Sequence, residues 1–182
     1  MQHVNVKIFA SQADINLVDA IPVFHKWIQD STVPELVIDV ADYKHVPDGP
    51  GIMLIGHEAD YSLDETDGRL GLLYNRKVAV SGSPQEALRQ AYNAALLATK
   101  KLQATPVFKG KLKFDENEVE VILNDRLLFP NTDETWTKVL PEFEAFFTKI
   151  YGTGSFTIEH RGEPRDRVRA GVVKNAVQAS VL

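Results

Sequence analysis

The sequence predicts an α+β protein, a two-layer sandwich in which about three helices pack on one face of a mostly antiparallel sheet. Three observations support this class. Residues 33–77 contain short apolar runs separated by tight turns, and these connections are too short for the crossovers that parallel strands need. Segments with the periodicity of amphipathic helices lie on both sides of that stretch. The chain has 182 residues, enough for one domain with a substantial core.

The first strand and the first helix have clear local signals. Apolar and polar residues alternate from residue 4 to residue 9, which is typical of a strand. Asp19 can cap a helix that begins at Ala20. Pro22 would then fall in the first turn, where its missing N–H does no harm.

The central stretch predicts an antiparallel meander. Leu36, Ile38 and Val40 form the apolar face of its first strand. Prolines and glycines at residues 46–51 make a turn, and the polar loop at 64–68 ends in Asp-Gly, a hairpin signal. The predicted strands of the meander are 35–43, 51–57, 59–63 and 69–76.

The C-terminal half predicts a ferredoxin-like βαββαβ unit. Ser83 and Glu86 form a capping box, and the helix that follows extends to about residue 103. A second hairpin is predicted from residues 111–114 and 119–123. Thr132 can cap a further helix, which Pro141 should kink or split. With a last strand at 156–160, the order from residue 70 is that of a split βαβ pattern.

The domain organisation predicted is a single domain over residues 1–160 and a tail over 161–182. The tail carries five basic and two acidic residues. Val173, Val177 and Val181 recur at a spacing of four. This pattern fits either a frayed, flexible terminus or a segment that docks an apolar stripe on a partner.

Composition excludes several classes of function. The net charge of −5 gives no general basic field for nucleic acid. The chain has no cysteine, so disulfides, thiolate metal sites and cysteine nucleophiles are excluded. No segment has the pattern of a signal peptide or the roughly 20 apolar residues of a membrane helix. We therefore expect a cytoplasmic protein of bacterial type, with no membrane partner and no cofactor, since no nucleotide-binding fingerprint occurs.

Polar residues of the central stretch predict a pocket at one end of the sheet. His45 is the best acid–base candidate, because the ordinary pKa of histidine is near 6.5 and this residue lies in a loop. His57 and Glu58 are weaker catalytic candidates. No metal is predicted, because Tyr61 stands where the HExxH zinc motif needs its second histidine. The candidates for ligand contact are Asp42, Tyr43, Tyr61, Tyr74 and Arg76.

The alternative for this region is structural, with Asp42 and His45 stabilising the proline–glycine turn. Two functions of different class follow. The first is a non-catalytic accessory or assembly protein, which binds another protein or a second copy through the open sheet face or the tail. The second is a small-molecule-binding protein or enzyme that uses a pocket around His45, His57, Glu58, Tyr61 and Arg76. The sequence leaves open whether the protein is an enzyme.

Overall fold

The computed structural model describes residues 1–175, which form one eight-stranded antiparallel sheet and three α-helices. The strands are β1 (Val4–Ala13), β2 (Val37–Asp42), β3 (Ile52–Gly56), β4 (Ala59–Asp64), β5 (Gly71–Arg76), β6 (Leu112–Leu123), β7 (Phe156–Arg161) and β8 (Arg169–Lys174). The helices are α1 (Ala20–Gln29), α2 (Pro84–Ala104) and α3 (Asp133–Tyr151). In this part of the chain no helix is long and apolar enough to cross a bilayer.

The strand order is β2-β3-β4-β5-β1-β6-β8-β7, and every neighbouring pair is antiparallel. Strands β2 to β5 are consecutive neighbours, so the predicted meander is present. It returns the chain to β1, which lies at the middle of the sheet. The two edge strands are β2 and β7.

The helices bridge parallel strands that are not neighbours. Because β5 and β6 both pair with β1, they run parallel to each other, and α2 connects them across β1. In the same way α3 connects β6 to β7 across β8. Right-handed crossovers in these directions place the helices on one face. Apolar side chains of all three helices accordingly share one core with alternate residues of the strands.

The capping predictions for α2 and α3 are confirmed. The Ser83 side chain accepts the N–H of Glu86, and the Glu86 carboxylate accepts the N–H of Ser83, at 2.7 Å. Thr132 accepts the N–H of Thr135 at the start of α3. Pro141 does not split α3, which is one helix over Asp133–Tyr151.

The ferredoxin-like unit is not confirmed. Residues 112–123 form the single strand β6 instead of a hairpin. The polar segment at its middle lies between Phe114 and Val119, where the pairing with β1 shifts register between Ile8 and Ala10. An irregularity in the pairing thus accommodates residues whose sequence suggests a turn. The order after β5 is therefore helix, strand, helix, strand, strand, which gives two split βαβ units that share β6.

Part of the predicted tail lies inside the sheet. Strand β8 pairs with both β6 and β7, and its residues Ala170 and Val172 are fully buried in the core. Val173 belongs to this strand, whereas Val177 and Val181 lie outside the described residues. The basic charge that suggested an exposed tail is accommodated within the sheet, because Arg169 pairs with the buried carboxylate of Glu120 at 2.8 Å.

The predicted apolar face of β2 is divided: Leu36, just before the strand, and Ile38 are exposed, whereas Val40 is partly buried against the core. Leu36 and Ile38 are 67% and 59% exposed, whereas Val37 between them is buried. The pairing with β3 shifts register between Val37 and Asp39, and β2 has a neighbour on one side only. A bulge in an edge strand changes which residues face the core. The prediction that every second residue of this strand faces the core was therefore wrong here.

Candidate functional site

The predicted pocket around both histidines does not form. His45 lies in the loop between β2 and β3, and His57 lies in the turn between β3 and β4. The two side chains are therefore at opposite ends of β3, a strand of five residues. The predicted pocket needed both loops at the same end of the sheet. Consecutive antiparallel hairpins instead place successive turns at opposite ends.

The loop around His45 agrees with the structural alternative. The Asp42 carboxylate accepts the backbone N–H of Lys44 at 2.9 Å, which is an Asx-type turn contact. The rings of Tyr43 and His45 are neighbours at 6.3 Å. Glu58 and Arg76 lie near the other end of β3, where they form an ion pair at 3.0 Å.

Tyr61 and Tyr74 do come together, in a buried cluster that we call the Glu35 network. Both hydroxyls donate to the Glu35 carboxylate, Tyr74 at 3.0 Å, and the Gln90 amide donates to the Tyr74 hydroxyl at 2.7 Å. Both rings are fully buried. Burial raises the pKa of Tyr74 to about 12 and also raises the pKa of Tyr61, with the Glu35 carboxylate acting in the same direction. These protonated, enclosed phenols support a structural role.

Sequence reasoning did not identify Glu35 and Gln90 as partners of the tyrosines. Glu35 precedes β2 and Gln90 lies on α2, so neither is near Tyr61 or Tyr74 in the chain. A glutamate just before an apolar strand carries no local sign of burial. One indication of this cluster was present in the sequence: Tyr61 and Tyr74 lie on the two strands of the predicted β4–β5 hairpin, which pairs them.

The sheet face opposite the helices, called the open face, is unusually polar. Side chains on its central strands are almost completely buried although no helix or strand of residues 1–175 covers them. Burial of such polar groups is costly unless they have hydrogen-bond or ion-pair partners. The buried polar residues of this face are Asn5, Lys7, Asp60, Ser62, Asp64 and Glu120. Longer side chains screen the face; Arg69, for example, lies over the Phe9 ring at 4.0 Å.

The charges of the open face are mostly paired. Lys7 contacts Asp64 at 2.6 Å, and Lys77 contacts Asp60 at 2.7 Å. The Glu120 carboxylate lies between Arg169 and the more distant Arg161. This face is rich in charged residues, which are depleted at the core of protein–protein interfaces.

A groove lies between α1 and the C-terminal end of α2. It encloses about 570 Å³ and is lined by two short stretches of the chain. Helix α1 packs on β2 and β3, whereas α2 packs on β1, β5 and β6 and contacts α3, so the helix layer is open between α1 and α2. The lining residues are Asp19, Pro22, Val23, Lys26, Trp27, Asp30, Thr32, Lys101, Ala104, Thr105, Pro106 and Val107.

The local sequence explains this groove. Val23 and Trp27 add a second apolar stripe to α1 beside the stripe that contains Phe24. Helix α2 ends at Ala104, just before Pro106, which cannot continue a helix in which its N–H is required. A second apolar stripe on α1 was visible in the sequence, but the partner that it faces was not.

Comparison of the chain with protein-family models, with curated proteins and with solved structures gave no match. The geometry alone therefore has to support any functional conclusion. Within residues 1–175, no group of three or more histidine, aspartate or glutamate side chains is arranged to hold a metal ion. The groove between α1 and α2 is the concave site that the sequence did not predict, and we call it the helix groove.

Proposed function

We propose that the protein is a non-catalytic binding protein and that the helix groove holds a small amphipathic molecule. The observation that carries this proposal is the concave apolar surface between α1 and the end of α2, with a volume of about 570 Å³. Ligand pockets in proteins usually enclose about 300–1,000 Å³ and are lined mainly by apolar side chains with a few polar groups.

The lining fits a ligand with an apolar body and a charged end, since its rim carries Asp19, Asp30, Lys26 and Lys101. The floor combines Val23 and Trp27 of α1 with the aliphatic residues after α2. At the rim, Lys26 is already paired with Asp30 at 2.8 Å. Lys101 forms no ion pair with any carboxylate of residues 1–175, so its ammonium group is available to a ligand carboxylate.

The expected affinity is modest. Each methylene group buried contributes about 0.8 kcal/mol, so an alkyl chain of about eight methylenes gains roughly 6 kcal/mol. Immobilising a flexible chain offsets part of this gain. Dissociation constants in the range of tens of micromolar or weaker follow. Since the histidines and tyrosines with acid–base chemistry lie elsewhere, the lining supports binding better than catalysis.

Tryptophan fluorescence tests the proposal directly. The chain has two tryptophans, and Trp136 is outside the groove, stacked on His160 at 4.5 Å. In a Trp136→Phe background, emission therefore reports on Trp27 alone. We expect decanoate to change this emission saturably, and we expect decanol to bind as well but without dependence on Lys101.

Two matched variants locate the binding. Ala104→Phe fills the groove from an exposed helix position, and Ala145→Phe adds the same ring at an exposed position of α3. We expect Ala104→Phe to weaken decanoate binding at least tenfold and Ala145→Phe to leave it unchanged, with similar melting temperatures for both. Equal affinities in the two variants, or no saturable change in the Trp136→Phe parent, would refute the proposal.

A second candidate function is self-association through edge strand β2, for which Leu36 and Ile38 provide an exposed apolar pair. The Asp39 carboxylate accepts the N–H of Val40 at 2.8 Å and so occupies a backbone donor of the edge. Contact between side chains of two copies is therefore favoured over strand addition. Sedimentation equilibrium is the test: a dimer that Leu36→Lys/Ile38→Lys converts to monomer supports the candidate, and a monomeric parent at high concentration excludes it.

A further inference from the structure

A second cavity, which we call the cationic cleft, lies between α2 and α3 and has two positive charges in its lining but no carboxylate. It encloses about 230 Å³. The lining residues are Gln85, Arg89, Tyr92, Asn93, Phe146, Lys149 and Ile150. The helix groove and three further cavities of the described chain each have at least one aspartate or glutamate in their lining. In a chain with a net charge of −5, such a cavity favours an anionic ligand.

Helical spacing explains how the lining residues of the cationic cleft meet. Gln85, Arg89 and Asn93 recur at intervals of four on α2 and therefore lie along one side of that helix. Phe146 and Ile150 have the same spacing on α3. Because α2 and α3 pack against each other, the two rows lie on opposite sides of one cavity.

Neither cation of the cleft is neutralised within residues 1–175. Arg89 makes no ion pair and no side-chain hydrogen bond there, so the five N–H donors of its guanidinium are available. Lys149 donates to the Gln85 side-chain oxygen at 3.2 Å, and the Gln85 amide is itself fixed by the Glu142 carboxylate at 2.7 Å. These contacts hold the ammonium group at the cleft, and two of its three N–H donors remain for a ligand. The glutamate of the capping box, three residues before Arg89, is engaged at the start of α2.

The floor of the cleft is apolar. The rings of Tyr92 and Phe146 pack edge to face with their centroids 5.8 Å apart, and both residues are buried. Ile150, which is 37% exposed, adds aliphatic surface to the lining. The volume is below the roughly 300–1,000 Å³ of most ligand pockets, so the cleft fits a small molecule with both a charged group and an apolar part.

We propose that the cationic cleft binds the phosphate group of a small monoester, whose apolar body lies against Tyr92 and Phe146. A phosphate monoester carries a charge of about −1.5 to −2 near neutral pH, which matches Arg89 and Lys149 together. A guanidinium can donate two parallel N–H bonds to a phosphate, and an ammonium group adds a second charged contact. Bound phosphate also offsets the repulsion between two like charges that line one small cavity. The cleft is separate from the helix groove and does not depend on it.

Titration with phenyl phosphate, followed through amide chemical shifts by ¹H–¹⁵N NMR, tests the cleft. We expect saturable shifts concentrated in residues 85–93 and 146–150. Phenyl sulfate has a similar shape but only one negative charge, and inorganic phosphate lacks the apolar body. We expect each of these two anions to bind at least tenfold more weakly than phenyl phosphate.

Three variants separate the cleft from general effects of charge. Arg89→Gln and Lys149→Gln each remove one cation at an exposed helix position, where glutamine is a good helix former, so the fold should persist while the affinity for phenyl phosphate falls at least tenfold. Lys109→Gln makes the same change in net charge at an exposed position outside the cleft and should bind like the parent.

Equal losses of affinity in Lys149→Gln and Lys109→Gln would show that only the net charge matters and would overturn the proposal. An affinity for phenyl sulfate or inorganic phosphate equal to that for phenyl phosphate would overturn the assignment to a monoester. The absence of a saturable shift in the parent, or shifts centred away from the cleft, would overturn the site itself.

Discussion

Lys7 and Asp64 form an ion pair in which both side chains are only 3% exposed. The Asp64 carboxylate also accepts the N–H and the hydroxyl of Thr66, at 3.1 and 2.9 Å. Lys7 in turn donates to the Thr66 carbonyl oxygen at 3.2 Å. These contacts fix β1 to the hairpin between β4 and β5. Removal of one partner should therefore cost much more than removal of both.

We expect Asp64→Ala to lower the free energy of unfolding by about 3–5 kcal/mol, because it leaves the Lys7 ammonium buried without a counter-ion. The double variant Lys7→Met/Asp64→Leu should recover a large part of this loss. Urea unfolding of the single and double variants measures both effects. A loss below about 1 kcal/mol for Asp64→Ala, or strict additivity in the double variant, would contradict this interpretation.

For single residues, the sequence predicted the location of strands and turns better than it predicted burial and side-chain contacts. The polar loop predicted at 64–68 is present, but Asp64 is the last residue of β4 and is buried. The reason is that Lys7, distant in the chain, arrives beside it when β1 pairs with β5. Arg167 and Asn124 meet in the same way, across strands whose order the local pattern does not encode.

At the scale of elements, the Glu35 network joins four parts of the fold. It links the segment before β2 to β4, β5 and α2 through Tyr61, Tyr74 and Gln90. Its stability depends on phenols that stay protonated. Burial raises the pKa of Tyr74 from its ordinary value of 10.0 to about 12, and the pKa of Tyr61 is raised in the same direction.

This network predicts alkaline instability. Between about pH 10 and 12 the unfolded chain has lost the Tyr74 proton while the folded chain retains it, so the free energy of unfolding falls as the pH rises through this window. A shift of this size corresponds to roughly 3 kcal/mol at about pH 12. Urea midpoints measured from neutral pH upward should fall less steeply in Tyr74→Phe. Identical pH profiles for Tyr74→Phe and the parent would count against the assignment.

Elements with strong local signals were predictable, and elements fixed by distant pairing were not. The capping box at Ser83 and the Asp-Gly turn at residue 68 specify their structures within a few residues. Strand β6 is different. The polar residues at 115–118 suggest a turn, but the residues on both sides of them, Phe114 and Val119, pair with the same strand β1, which keeps the segment in one strand. Strand β8 lies in the predicted tail. Its burial depends on pairing with β6 and β7, and the local sequence does not show that pairing.

At the scale of the whole molecule, the α+β class follows from periodicity and from the short connections between strands, but the sites follow from strand order. The predicted pocket failed because His45 and His57 lie in turns at opposite ends of β3. The helix groove exists because α1 and α2 pack over different strands of a wide sheet. The first relation follows from the predicted meander, because successive turns of consecutive hairpins lie at opposite ends of a sheet. The second is not local in the chain, which explains why the groove could not be predicted.

Binding of an amphipathic molecule in the helix groove, between α1 and the end of α2, is what we propose. Amide chemical-shift mapping by ¹H–¹⁵N NMR during a decanoate titration tests it residue by residue. We predict saturable shifts concentrated in α1 and in residues 101–107, with the open face and β2 unchanged. Shifts spread evenly over the chain, or centred on another surface, would contradict the claim.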